Sequence, residues 1–195
     1  MRLGLSLALT LLLAFLFVPF MPRRANAGER SGVQELGIAT GFGSADRDGV
    51  KIVPLFFRAG WYFPDFIDAP LARHGLNLKW VVEPWFAGIT NHSDAFEFGV
   101  NLLYFKLDYD RGQTVVPFVA GGEGAMYTSL QGLHLGGPFE FSSAIGAGLH
   151  VFLTKQVALS LSYRLRHISN AGLRNENSGL NTDFFLVGLE EFPQR

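Results

Sequence analysis

His167 and Ser169 are the residues in this chain whose types and spacing suggest chemistry. They lie in the run Tyr163-Arg164-Leu165-Arg166-His167-Ile168-Ser169-Asn170-Ala171. A serine hydroxyl becomes a nucleophile when an imidazole takes its proton, and the imidazole in turn needs an orienting partner. Two residues apart on a strand, the two side chains share a face about 6.5–7 Å apart along the chain, a gap that rotamers close. His-x-Ser is a common tripeptide, so the spacing alone is weak evidence. Its setting is more telling. Val157, Leu159, Leu161, Tyr163 and Leu165 precede the pair on the same face, while Ala158, Ser160, Ser162, Arg164 and Arg166 take the other. An apolar face ending in a histidine and a serine is awkward in a soluble protein. On a membrane barrel it puts a nucleophile and a base on the lipid side.

The elements that must position this pair lie beyond a leader. Arg2, an almost unbroken apolar run over residues 3–21, and Ala25-Asn26-Ala27 form the pattern of a secretory signal peptide over residues 1–27. The remaining residues 28–195 suit one domain. Removing Arg2, Arg23 and Arg24 takes Lys+Arg from 16 to 13 against 17 Asp+Glu, a net charge of −4. That balance offers no basic patch for nucleic acid. With no cysteine, disulfides and thiolate metal sites are excluded. The histidine spacings make no zinc pattern, and no metal or other cofactor is expected.

Beyond the leader no second apolar run approaches 20 residues, yet Phe and Gly are abundant and apolar residues fall on alternate positions. The expectation is an all-β fold, an eight-stranded antiparallel transmembrane β-barrel. Strands are predicted over residues 33–42, 51–63, 76–89, 96–107, 114–127, 139–153, 157–169 and 181–190. Residues 64–75 form a long Pro- and Asp-containing connection. Arg58, Lys79, Glu83, Glu97, Glu123, Glu140, Arg164 and Arg166 are all predicted opposite the large apolar residues. Mixed signs there suggest a lumen filled by paired charges and closed to flow. The alternative is a soluble barrel with the reverse polarity. With the amino terminus in the periplasm, the seventh strand runs outward. His167 and Ser169 then lie near its outer end, with Tyr163 at the interface one layer below.

His167-Ile168-Ser169-Asn170-Ala171-Gly172, followed by Asn177-Ser178-Gly179-Leu180-Asn181, resembles the active-site signature of the outer-membrane lipid A 3-O-deacylase family. Pro117-Phe118-Val119 opening the fifth strand is also similar. The resemblance implies an eight-stranded outer-membrane barrel that hydrolyses the ester-linked acyl chain at position 3 of lipid A. It implies Ser169 as nucleophile, His167 as general base, and lipid A or lipopolysaccharide as substrate among outer-membrane lipids. The acidic third member of that family's triad falls at Asn181. An asparagine orients an imidazole but lends it no negative charge. Asp183, on the same face of the last strand, and Glu176, in the preceding loop, are alternative orienting acids.

Donors for a developing oxyanion are expected from Asn170 and from the backbone amides of Ala171 and Gly172, where glycine permits an unusual backbone angle. The plainer reading is that Asn-Ala-Gly ends the strand. Asn177 and Gly179 read as turn residues. His74, His92 and His134 fall in connections, and His150 on the lumen face. Two further classes compete with the esterase. One is a non-enzymatic structural or adhesive barrel, and the other an acyltransferase or phospholipase using the same serine. The sequence leaves open whether the barrel is a homodimer.

Overall fold

A computed structural model describes residues 32–91, 95–130, 133–193 and 195 of the chain. The expected signal peptide and His92 lie outside the described residues. Eight strands close into an antiparallel barrel with each strand beside its sequence neighbour. They are β1 (Glu35–Ala45), β2 (Lys51–Tyr62), β3 (Leu76–Ile89), β4 (Phe96–Tyr109), β5 (Val115–Thr128), β6 (Phe139–Phe152), β7 (Val157–Ser169) and β8 (Leu180–Glu191). Closure comes from β1 pairing β8, from Leu36 opposite Glu191 to Ala45 opposite Thr182. Every strand thereby has two partners, as hydrocarbon requires of backbone polar groups.

The polarity is that of a membrane barrel. Ile38, Phe98, Leu103, Ile145, Phe185 and Leu189 are exposed on the outside, while Glu35, Lys79, Glu83 and Glu190 are buried within. The soluble alternative needs the reverse. Aromatic residues gather at both ends. Phe86, Phe96, Phe98 and Tyr127 stack in series at the β7–β8 loop end. Trp61 packs on Trp80 and Phe63 on Phe105 at the other. Such girdles suit the two membrane–water interfaces.

The lumen is a packed ion network. Glu83 binds Arg58 at 2.5 Å and Arg164 at 2.6 Å, and Glu190 binds Arg58 at 2.5 Å and Lys106 at 2.9 Å. Arg166 meets Glu97 at 2.7 Å. Above these charges an apolar cluster that includes Phe56, Trp85, Met126, Ile168 and Phe184 fills the loop end. The interior is therefore plugged, as a small barrel should be.

Three departures from the expected pattern have physical causes. Residues 64–75 contain a helix, α1 (Asp65–Ala72), with Asp65 and Asp68 in its first turn, where acids suit the helix dipole. Its eight residues carry Pro70 internally, which hid it from a sequence reading. On β4 the register shifts between Asn101 and Leu103, so Leu102 and Leu103 both face out. That bulge inverts the alternation beyond it and turns Tyr104 inward, although simple parity places it outside. Glu123 faces outward, not into the lumen. The inward positions of β5 are Val116, Phe118, Ala120 and Met126, and the glycines at 121, 122 and 124 leave no bulky residue to mark the face near Glu123.

Candidate active site

β7 holds His167 and Ser169 outward because their neighbours are anchored inward. Arg166 is tied to Glu97 inside the barrel, and Ile168 is fully buried in the apolar cluster. His167 is exposed and Ser169 half-buried on the outward face, at the end of the strand where the 170–179 loop begins. Across β7–β8, His167 stands directly opposite Asn181. Their side chains meet, His167 Nδ1 to Asn181 Oδ1, at 2.8 Å. An amide oxygen accepts only, so Nδ1 is the donor in this bond, the tautomer that in a neutral imidazole leaves the lone pair on Nε2. Among the described residues neither Nε2 nor the Ser169 hydroxyl has a hydrogen-bond partner. The two side chains share the outward face, but no hydrogen bond joins them: the histidine is held by Asn181, and the serine hydroxyl is uncommitted.

Gly179 shapes the space beside the imidazole. Its φ is +60°, in the left-handed region, and a Cβ there would lie 2.6 Å from His167 Cε1 and 3.0 Å from Nε2. The residue is thus more than a turn former, because the imidazole occupies the place where any other side chain would begin.

Behind Asn181 stands a carboxylate that sequence reasoning missed. Asn181 Nδ2 donates to Asp46 Oδ2 at 2.6 Å, and the Asn181 main-chain N–H donates to Asp46 Oδ1 at 3.2 Å. The Asp46 N–H returns a bond to the Asn181 carbonyl at 3.0 Å. Asp46 lies in the β1–β2 turn, 135 positions from Asn181. Only barrel closure, which sets the end of β1 against the start of β8, brings them together. That closure was the available signal, since an eight-stranded barrel must pair its first and last strands.

On the other side of His167, its β6 partner is Ser143, whose own β5 partner is Glu123. The Ser143 hydroxyl donates to Glu123 Oε2 at 2.6 Å. A polar row therefore crosses the outer surface from Glu123 through Ser143, His167 and Asn181 to Asp46, within an otherwise apolar exterior.

The remaining candidates are engaged elsewhere. Asp183 accepts a hydrogen bond from the Tyr163 hydroxyl and is paired in register with Leu165. Glu176 lies in the loop with its carboxylate 3.7 Å from His134 Nδ1. Asn170 is buried, and its amide group donates to the carbonyls of Leu135, at 2.9 Å, and Glu176, at 2.6 Å. Its Oδ1 accepts from the Gly172 N–H at 3.0 Å. The side chain of Asn170 and the amide of Gly172 thus brace the loop in this structure. Asn177 Oδ1 caps the Asn170 N–H at 2.9 Å, completing the brace. His150 is fully buried in the lumen, stacked on Phe118 at 4.4 Å.

The family model described as Lipid A 3-O-deacylase (PagL) matches residues 57–190. Among solved structures, the barrel is similar to the crystal structure of the outer membrane enzyme PagL, at a TM-score of 0.59 and 19% identity, covering 79% of this chain and 97% of that one. It is also similar to the crystal structure of Neisserial surface protein A, at a TM-score of 0.54 and 16% identity, covering 83% and 99%. At these identities the two likenesses speak for the fold. No curated protein matches the chain.

Proposed function

The chain belongs to the lipid A 3-O-deacylase (PagL) family, and from that premise we propose that it is a serine esterase acting on the 3-position acyl ester of lipid A in the outer leaflet. The observation that carries this reading is the His167–Asn181 bond at 2.8 Å on the outward face of the strand that also presents Ser169. An outward nucleophile suits a substrate whose acyl chains lie in the membrane beside the barrel. The fatty chains would run along the apolar exterior while the ester, near the sugar, reaches the strand end.

In the proposed reaction His167 Nε2 takes the Ser169 hydroxyl proton as Oγ attacks the ester carbonyl carbon. The tetrahedral intermediate collapses by breaking the bond to the sugar oxygen, which leaves with the proton held on Nε2. Water then gives a proton to Nε2 as its oxygen attacks the acyl carbon. Ser169 Oγ departs, recovers that proton, and a free fatty acid is released. Asn181 keeps the imidazole in the tautomer that both halves need.

The test is mass analysis of lipid A from an outer membrane carrying the intact chain or Ser169→Ala. Loss of one 3-linked acyl chain with the intact protein, and none with Ser169→Ala, supports the esterase. Unchanged lipid A in both overturns it in favour of a structural barrel.

A further inference from the structure

We propose that Asp46 is a positioning residue that selects the tautomer of His167 by holding the Asn181 amide in one orientation, a role that rests on the serine-esterase reading above. An asparagine amide has a donor end and an acceptor end of nearly the same shape, and turning it by 180° exchanges them. Nothing intrinsic to Asn181 decides which end meets His167. The carboxylate of Asp46 decides it, because a carboxylate only accepts. One oxygen takes Asn181 Nδ2 at 2.6 Å, and the other takes the Asn181 main-chain N–H at 3.2 Å. The return bond from the Asp46 N–H to the Asn181 carbonyl at 3.0 Å sets the two residues in register.

With the donor end claimed by Asp46, Oδ1 is left for His167 Nδ1. The proton must then sit on Nδ1, and Nε2 is free to act as base. Turned the other way, the amide would donate to Nδ1, push the proton onto Nε2 and block proton transfer from serine. The carboxylate missing at position 181 is thus supplied one residue further back, and it acts through the amide. A glutamate side chain at that position would need no such sorting, since either of its oxygens accepts. Asp46 and a second carboxylate there would instead repel each other.

The experiment compares the intact protein, Asp46→Ala, Asn181→Glu, the double variant Asp46→Ala/Asn181→Glu, and Ser169→Ala, each folded in lipid vesicles with lipid A as substrate. Asp46→Ala is expected to lower kcat about 10- to 100-fold with KM little changed, a fraction of the loss that a fully wrong tautomer causes. In the Asn181→Glu background the same change should leave kcat unchanged or raised. Nitrogen-15 NMR of ring-labelled histidine, assigned against His167→Gln, should show Nε2 moving from lone-pair-bearing to protonated in Asp46→Ala.

An Asp46→Ala protein with unchanged kcat and unchanged His167 signals overturns the proposal. So does an equal loss in both backgrounds, which would mark a merely structural effect. A fully active Ser169→Ala would overturn the serine esterase, a separate failure, and the nitrogen-15 signals would still decide the Asp46 role by themselves.

Discussion

His167 and Asn181 face each other across β7 and β8, and the bond between Nδ1 and Oδ1 at 2.8 Å joins two residues fourteen positions apart in the chain. It turns an exposed histidine into one with a defined tautomer. Asn181→Ala should therefore lower kcat by about 10²–10⁴-fold, the range expected when a catalytic imidazole loses its orienting partner. Asp183→Ala, whose carboxylate is turned to Tyr163, should cost far less. Steady-state deacylation by the two variants, both folded in vesicles, separates the two positions.

Gly179→Ala should damage the site while sparing the barrel. The substitution puts a Cβ 2.6 Å from His167 Cε1 and 3.1 Å from the Ile168 carbonyl, at a left-handed backbone position. The left-handed conformation itself costs roughly 1–2 kcal/mol for a non-glycine residue. Displacement of the imidazole adds a loss of kcat. Activity measured beside thermal unfolding should show a large drop in the first and a shift of a few degrees in the second.

Removing Glu83 should cost the most stability. It is the shared acceptor of Arg58, Arg164 and Asn101, all buried. Glu83→Leu strips Arg164 of its carboxylate and leaves Arg58 with Glu190 alone. Breaking a buried pair by deleting one partner costs about 3–5 kcal/mol. Urea unfolding in lipid should show a lowered midpoint, and a midpoint equal to that of the intact chain would refute the network's role.

Acid should loosen the end of the barrel opposite the site. Asp110, in the turn after β4, is pushed up by partial burial. The hydrogen bonds from Arg195 and the Gly112 N–H outweigh this and hold its carboxyl below the ordinary 3.8. A depressed carboxylate adds stability that is present above its unfolded value and is lost as pH falls through the folded one. The Arg195–Asp110 contact should therefore persist at neutral pH and release below 3.8. In Asp110→Asn the acid-dependent part of that loss should vanish, as followed by unfolding between pH 5 and pH 2.

Much of this was legible in the chain because a strand's two-residue period writes its facing directly into residue order. The run from Val157 to Ser169, alternating apolar and polar, was enough to locate β7 and to put His167 and Ser169 together on its apolar side. The Arg164 and Arg166 side carried the charge that fills the lumen. Alternation failed where its premise failed. The bulge at Leu102–Leu103 inserted one residue and turned Tyr104 inward, and glycines around Glu123 carried no facing information. α1 was hidden by its brevity and by Pro70.

What residue order alone determined is therefore the barrel class, its strand count, and a histidine and serine on one outward face, all of them local patterns. Which groups gather around that histidine was decided by strand pairing. Asn181 faces His167 through the β7–β8 register, and Asp46 reaches Asn181 because β1 must pair with β8 to leave no open edge. The β7–β8 register likewise left Asp183 to Tyr163, and loop contacts left Asn170 to the Leu135 carbonyl. A hydrogen bond depends on distances of tenths of an ångström between residues that the chain separates by up to 135 positions, and only the closed sheet sets those distances.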